Sequence, residues 1–243
     1  MTMPASPNEL KRHVQPALAV DLALLTIVDG VIEVLVQKRL DGDKVGGTHA
    51  LPGSIVRIDE TLEQTVNRVL QSKAGLHEAF VEQLRTFSAL DRDPRGRVVS
   101  VAYFALVPPE TFKKAARKQH GLDTAVVQHL GTNEEGPAAQ LRDRNDQPMQ
   151  LAFDHSLIVA TTLQRLRGKL DYTGVGFELL PHRFTLRELQ EIHETILGHT
   201  LTKPAFRKKM IDRGFVRPTG KREKGKAFRP AELYERTNKE SES

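Results

Sequence analysis

Between positions 200 and 236, twelve lysines and arginines stand against four acidic residues, a local net charge of +8 in a chain of 243 residues whose total is +5. The rest of the chain therefore carries −3, the difference between those two values. A cationic block of this density suits a polyanionic partner. Within it, Lys203, Arg207, Lys208 and Lys209 share one stretch of helical spacing, and Lys221, Arg222 and Lys224 lie between Gly220 and Gly225. Ammonium and guanidinium groups so placed can neutralise successive backbone phosphates. Phe206, Phe215, Phe228 and Tyr234 are too sparse to stack a run of unpaired bases, so double-stranded DNA is the expected partner. Metal and thiol chemistry are not expected. The chain has no cysteine, and none of its nine histidines pairs with another at a spacing of four. No catalytic residue, cofactor or metal ligand is expected.

The elements that must position these groups follow from periodicity and turn residues. Residues 18–28 and 31–38 read as a β-hairpin around Asp29-Gly30. Apolar residues at Leu62, Val66, Val69 and Leu70 give a helix over 61–74, ended by Gly75. Further strands are expected at 80–88, 98–107 and 124–130, helices at 109–120 and 156–170, and a polar loop at 131–147. This alternation describes one α/β (α+β) domain over residues 1–175. Gly174 and Gly176 are expected to form a linker. Beyond them, Thr185 and Glu188 have the spacing of a capping box, and Leu186, Leu189, Ile192 and Ile196 stripe the helix that follows. A second helix over 202–213 should turn Phe206, Met210 and Ile211 inward. Strands near 215–217 and 232–234 would then flank the basic tip. Helix, turn, helix and basic hairpin are the parts of a winged helix-turn-helix domain over 176–243, with its second helix in the major groove. No apolar run approaches the ~20 residues that span a bilayer, and the first residues lack a signal-peptide core, so no membrane partner and a cytoplasmic location are expected.

The segment from Ser54 to Leu76 resembles the Nudix box, a loop–helix–loop that binds Mg²⁺ and pyrophosphate. Glu60 falls on the motif's first glutamate, Arg68 on its arginine, Leu70 on its apolar position and Gly75-Leu76 on its end. The entry loop Leu51-Pro52-Gly53 is also similar, with Ser54 in place of the motif's glycine. The three catalytic glutamates of the family would stand at 69, 72 and 73, on one helical face. Here those positions hold Val69, Ser72 and Lys73. The carboxylates that would gather hard cations are missing, while Glu60 and Arg68 are left to pair as a strut.

A Nudix-like domain followed by a winged helix resembles the NrtR family of Nudix-related transcriptional regulators. The likeness spans nearly the whole chain. It is carried by Phe184–Gln190, Phe206–Lys209 and Arg229–Tyr234, by the inter-domain segment Leu151–His155, and by the turn Asp91–Arg97 leading into Val98–Tyr103. The resemblance implies a homodimeric, ligand-responsive repressor of NAD-biosynthesis genes, bound to a palindromic operator. Its Nudix-like domain would sense ADP-ribose or a related metabolite without catalysis. Arg39, Arg57 and Arg97 are the expected pyrophosphate contacts, Arg39 ending a strand with Gln37 and Lys38 beside the pocket entry. His155 is expected to orient the joint between domains. Two other readings stay open: a Nudix hydrolase of ADP-ribose with a basic tail, and an architectural DNA-binding protein without a ligand.

Overall fold

A computed structural model describes residues 15–39, 47–118, 121–133, 136–223 and 230–237. Its centre is a mixed sheet in the order β5-β6-β1-β2-β7-β8-β9, with β3 added to β2 and β4 to β1. The strands are β1 (Ala17–Val28), β2 (Val31–Lys38), β3 (His49–Ala50), β4 (Gly53–Ile55), β5 (Phe80–Phe87), β6 (Val98–Leu106), β7 (Leu122–Asn133), β8 (Gly136–Arg142) and β9 (Pro148–Met149). β1 and β6 run parallel, and β1 and β2 form the antiparallel hairpin expected around Asp29-Gly30.

The near-continuous apolar runs of β1 and β6 have a physical cause: both faces of the sheet are covered. Side chains alternate across a strand, so Val20, Leu22 and Leu24 enter one core while Ala23, Leu25 and Ile27 enter the other. The first core is closed by α1 (Leu62–Val69) and α2 (Pro109–Lys118), the second by α3 (His155–Lys169). α1 begins with a capping box in which Thr61 and Gln64 satisfy each other's backbone N–H. Residues Leu70–Ala74 widen into a π turn, which Gly75 ends at φ 64°, a left-handed conformation natural to glycine.

Two expectations fail here. The polar stretch 131–147 is not a loop: it supplies the end of β7, then β8, paired antiparallel. Among its described side chains, β8 buries Ala139 and Leu141 under the helix at 155–169, an apolar alternation too short to stand out from the polar residues around it. Nor do Gly174 and Gly176 form an exposed linker. They belong to a buried joint with a 3₁₀ turn, Val175–Leu179, in which Val175, Phe177 and Leu179 are buried. That joint, the second core and the C-terminal elements make one continuous apolar cluster.

The C-terminal part comprises α4 (Leu186–Leu197), α5 (Lys203–Asp212), β10 (Val216–Arg222) and β11 (Glu232–Arg236). Thr185 and Glu188 form the expected capping box. Phe206 and Met210 of α5 are buried as expected, but Ile211 is not; it lies on the solvent side at 44% exposure. β10 and β11 pair as the wing, and Phe184 adds a backbone bridge to Tyr234. Among the described residues, no helix is long and apolar enough to cross a membrane.

Candidate functional site

A cavity of about 360 Å³ opens where β1, β4 and the loops after β2 and β5 meet the start of α3. That is within the roughly 300–1,000 Å³ typical of small-molecule sites. Its floor is a buried ionic network. Arg92 donates from Nε and Nη2 to the two carboxylate oxygens of Asp154, at 3.0 and 2.7 Å, and from Nη2 to Asp21 at 3.1 Å. The Ser100 hydroxyl donates to the same Asp21 oxygen at 2.6 Å. The Leu51 N–H donates to His155 Nδ1, which places the ring proton on Nε2, 3.5 Å from the other Asp21 oxygen. Burial alone would raise the Asp21 carboxyl, but the His155 ring, the Ser100 hydroxyl and the Arg92 guanidinium outweigh it and hold it well below the usual carboxylate range. Gly53 is required beside this network, because a Cβ there would sit 2.5 Å from Asp21 Oδ1.

The walls are cationic. Lys38, Arg39, Lys73, Arg92 and Arg95 line the cavity against Asp21 and Asp93. Phe153 stands at the wall with φ 57°, a left-handed conformation costing a non-glycine residue on the order of 1 kcal/mol. Its ring lies 4.9 Å from the Arg39 guanidinium and 5.1 Å from that of Arg95. Two of the three arginines expected at a pyrophosphate point elsewhere. Arg57 is largely exposed and lies 3.5 Å from Glu60, while Arg97 donates to the Ser88 and Ala89 carbonyls and braces the base of its turn. Neither lines the cavity, whereas Arg39 does.

The Glu60–Arg68 strut exists, and it is tight. Arg68 donates to both Glu60 oxygens at 2.7 and 2.6 Å and reaches Ser54 Oγ and the Ile55 carbonyl. Those hydrogen bonds, chiefly, pull the Glu60 carboxyl down to about 2. The positions where a Nudix hydrolase would hold Mg²⁺ do not fit a metal. Val69 is fully buried in the core, the Ser72 hydroxyl donates to the Arg68 carbonyl, and Lys73 lines the cavity. Glu60 is already consumed by Arg68 and Thr65. Among the described residues, no three histidine or acidic side chains gather as a metal site.

The basic face is built on α5 and the wing. Lys203, Arg207 and Lys208 are exposed, as are Lys221 and Arg222. Lys203, Lys208 and Lys221 make no ion pair with any described residue, and Lys224 lies outside the described residues. Arg207 donates to the Tyr234 hydroxyl at 3.0 Å, and that hydroxyl donates to Glu232 at 2.7 Å, so helix and wing are tied together. Arg222 donates to the Pro230 carbonyl across the hairpin. Lys209 turns toward the other domain: its Nζ donates to Asp171 Oδ1 at 2.6 Å, and Arg213 reaches the Asp171 carbonyl.

Sequence reasoning missed Asp21, Arg92, Arg95, Phe153 and the pocket role of Lys73. One signal was present. Asp21 is a lone carboxylate inside the apolar run of β1, and a buried charge needs a partner.

By architecture this is a Nudix-like domain without its metal-binding face, joined to a winged helix. The model of the NrtR DNA-binding winged helix domain matches residues 176–235. The chain is 34% identical over 222 residues to the ADPR responsive transcriptional repressor NtrR of Acinetobacter baylyi, covering 90% of this chain and 81% of that protein. The crystal structure of Shewanella oneidensis NrtR complexed with a 27mer DNA matches with a TM-score of 0.72 at 29% identity, over 90% of this chain and 93% of that one. An ADP-ribose pyrophosphatase of Methanocaldococcus jannaschii is 31% identical over 156 residues, 63% of this chain and 76% of that enzyme. The chain belongs to the NrtR family of Nudix-related transcriptional regulators.

Proposed function

We propose that this protein is an ADP-ribose-responsive transcriptional repressor of NAD-biosynthesis genes, acting in the cytoplasm as a homodimer on a palindromic operator. Residues 1–175 form the sensing domain and 176–243 the DNA-binding domain. The observation that carries the reading is the coexistence in one chain of a cation-lined cavity, stripped of its metal face, and an exposed basic helix with its wing. Lys203, Arg207 and Lys208 supply phosphate contacts from α5, and Lys221 and Arg222 from the wing. Arg39, with Lys38, faces the ligand's pyrophosphate.

The layout suggests how the two sites communicate. His155, at the cavity, is the first residue of α3. That helix ends at Lys169, two residues before the Asp171 that holds Lys209 of α5. Arg167 near its end donates to the Ile196 carbonyl of α4 at 2.7 Å. A ligand that moves the start of α3 therefore bears on both helices of the helix-turn-helix. It must bind the DNA-competent and DNA-incompetent dimers with different affinity, and coupling between linked sites is typically ~1–3 kcal/mol. A gel shift with operator DNA, with and without ADP-ribose, tests this. The expected outcome is a change in affinity of roughly 5- to 150-fold; identical DNA affinity at saturating ligand refutes the sensor.

Hydrolysis is the second reading, favoured by the likeness of the N-terminal part to a pyrophosphatase. Against it stand Val69, Ser72 and Lys73. No turnover of ADP-ribose above background is expected with Mg²⁺ or Mn²⁺; turnover that Glu60→Gln abolishes would establish an enzyme.

A further inference from the structure

The cavity has more cations than its buried carboxylates consume. Arg92 is spent on Asp21 and Asp154, and Arg95 donates to both oxygens of Asp93 at 3.0 and 2.8 Å. Lys73 is different. It lines the cavity, is only half-buried, and makes no ion pair with any described residue. It also occupies one of the three positions from which a Nudix hydrolase would present a metal-binding carboxylate. Its backbone is fixed by the π turn Leu70–Ala74 and by Gly75, so the side chain is anchored at the cavity edge and not on a mobile loop.

Resting on the ligand reading above, we infer that Lys73 takes over the electrostatic role of the divalent metal. Its ammonium faces the pyrophosphate of the effector, and the pocket recognises a pyrophosphate ester in its metal-free form. The charge logic is direct. A pyrophosphate diester carries two negative charges, and a Mg²⁺–ligand complex would bring a cation against Lys73 while the lining carboxylates, Asp21 and Asp93, are engaged by Arg92 and Arg95. Val69 offers no oxygen, and the Ser72 hydroxyl is engaged with the Arg68 carbonyl. An ammonium is a compact point charge with three donors, able to hold phosphate oxygens without the octahedral geometry that Mg²⁺ demands. The same substitution that removes the machinery of hydrolysis thus supplies a means of retention.

The test is calorimetric binding of ADP-ribose to the full-length protein, in EDTA and in excess Mg²⁺, for the native chain and for Lys73→Met and Lys73→Arg. Adenosine, which lacks the pyrophosphate, is the control ligand. The native protein should bind ADP-ribose in EDTA at least as tightly as in Mg²⁺. Lys73→Met should lose roughly tenfold or more in affinity for ADP-ribose, as expected for a charge-assisted contact, while its affinity for adenosine stays at the native level. Lys73→Arg should recover most of that loss. Tighter binding in Mg²⁺ by the native protein, or native-like ADP-ribose binding by Lys73→Met, overturns the inference while leaving the sensor reading standing. Absence of ADP-ribose binding in both buffers overturns the sensor reading, and the inference falls with it. Equal losses for ADP-ribose and adenosine in Lys73→Met would mark general damage to the pocket and also count against a role at the pyrophosphate.

Discussion

Replacing Arg92 by methionine should be among the most destabilising single changes available in the N-terminal domain. The side chain is 3% exposed, and its partners Asp21 and Asp154 are 11% and 15% exposed. Methionine fills a similar volume but donates nothing. The substitution removes three hydrogen bonds and leaves two largely buried carboxylates facing each other without a cation. Breaking a buried ion pair from one side costs about 3–5 kcal/mol. In a chain of this length each kcal/mol shifts the midpoint by roughly 2–4 °C, so Tm should fall by about 6–20 °C. The pH dependence gives the loss a signature. In the native protein the Asp21 carboxyl lies below its ordinary value, so its stabilising contribution is present above the unfolded value of 3.8 and is lost only as pH falls below it. In Arg92→Met the Asp21 carboxyl loses one of the groups that hold it down and keeps the Ser100 hydroxyl and the His155 ring, so it rises from its native position. The folded variant then takes up a proton at a higher pH than the folded native protein, and the stability gap narrows as pH falls. Urea unfolding at pH 7 and at pH 4 should therefore show the gap between native and variant shrinking on acidification. A penalty under about 1 kcal/mol, or a gap independent of pH, would refute the account of a single buried network.

Three further outcomes are expected. Arg207→Ala and Lys208→Ala should each reduce the slope of log K against log salt for operator binding by about 0.9, read by fluorescence anisotropy, and unchanged slopes would remove α5 from the interface. Lys209→Ala should leave that slope near native while reducing the effect of ADP-ribose on DNA affinity, because its Nζ is held by Asp171 and not offered to DNA. The third concerns His193, which burial above all, then the nearby Lys209, pushes down to about 4, against the ring of Phe206. Its stabilising effect is complete above pH 6.5 and is lost as pH falls toward 4, worth about 3 kcal/mol across that window. His193→Gln should flatten that part of the stability curve, which urea titrations at several pH values would show.

What the sequence disclosed and what it hid divide along a physical line. Local chemistry was legible: the Thr185–Glu188 box, the hairpin at Asp29-Gly30 and the inward Phe206 and Met210 of α5 all depend on residues a few positions apart, while the Glu60–Arg68 strut was legible through the resemblance to the Nudix box. The cavity floor was not, because Arg92 meets partners 71 and 62 positions away. No spacing rule connects residues that a parallel pairing of β1 with β6 and the start of α3 bring together. Arg57 and Arg97 were plausible for their residue type, yet each is occupied by a neighbour in its own turn. The segment 131–147 hid its strands because the described part of the face it buries is Ala139 and Leu141, too short an alternation to read. Ile211 broke the inward stripe of α5 by lying on its solvent side, 44% exposed.

Val69 carries a consequence for any attempt to place a metal site on this helix. The position where a hydrolase would keep a carboxylate is now sealed inside a core with Val66, Leu70 and Phe112. A glutamate at 69 would put a charge inside that apolar core, at a cost of several kcal/mol. Lys73, on the turn that follows, lines the cavity. Val69→Glu alone is therefore expected to destabilise the domain before any carboxylate reaches the cavity. A metal-holding face on this helix would need the core at 69 and the residues at 72 and 73 rebuilt together.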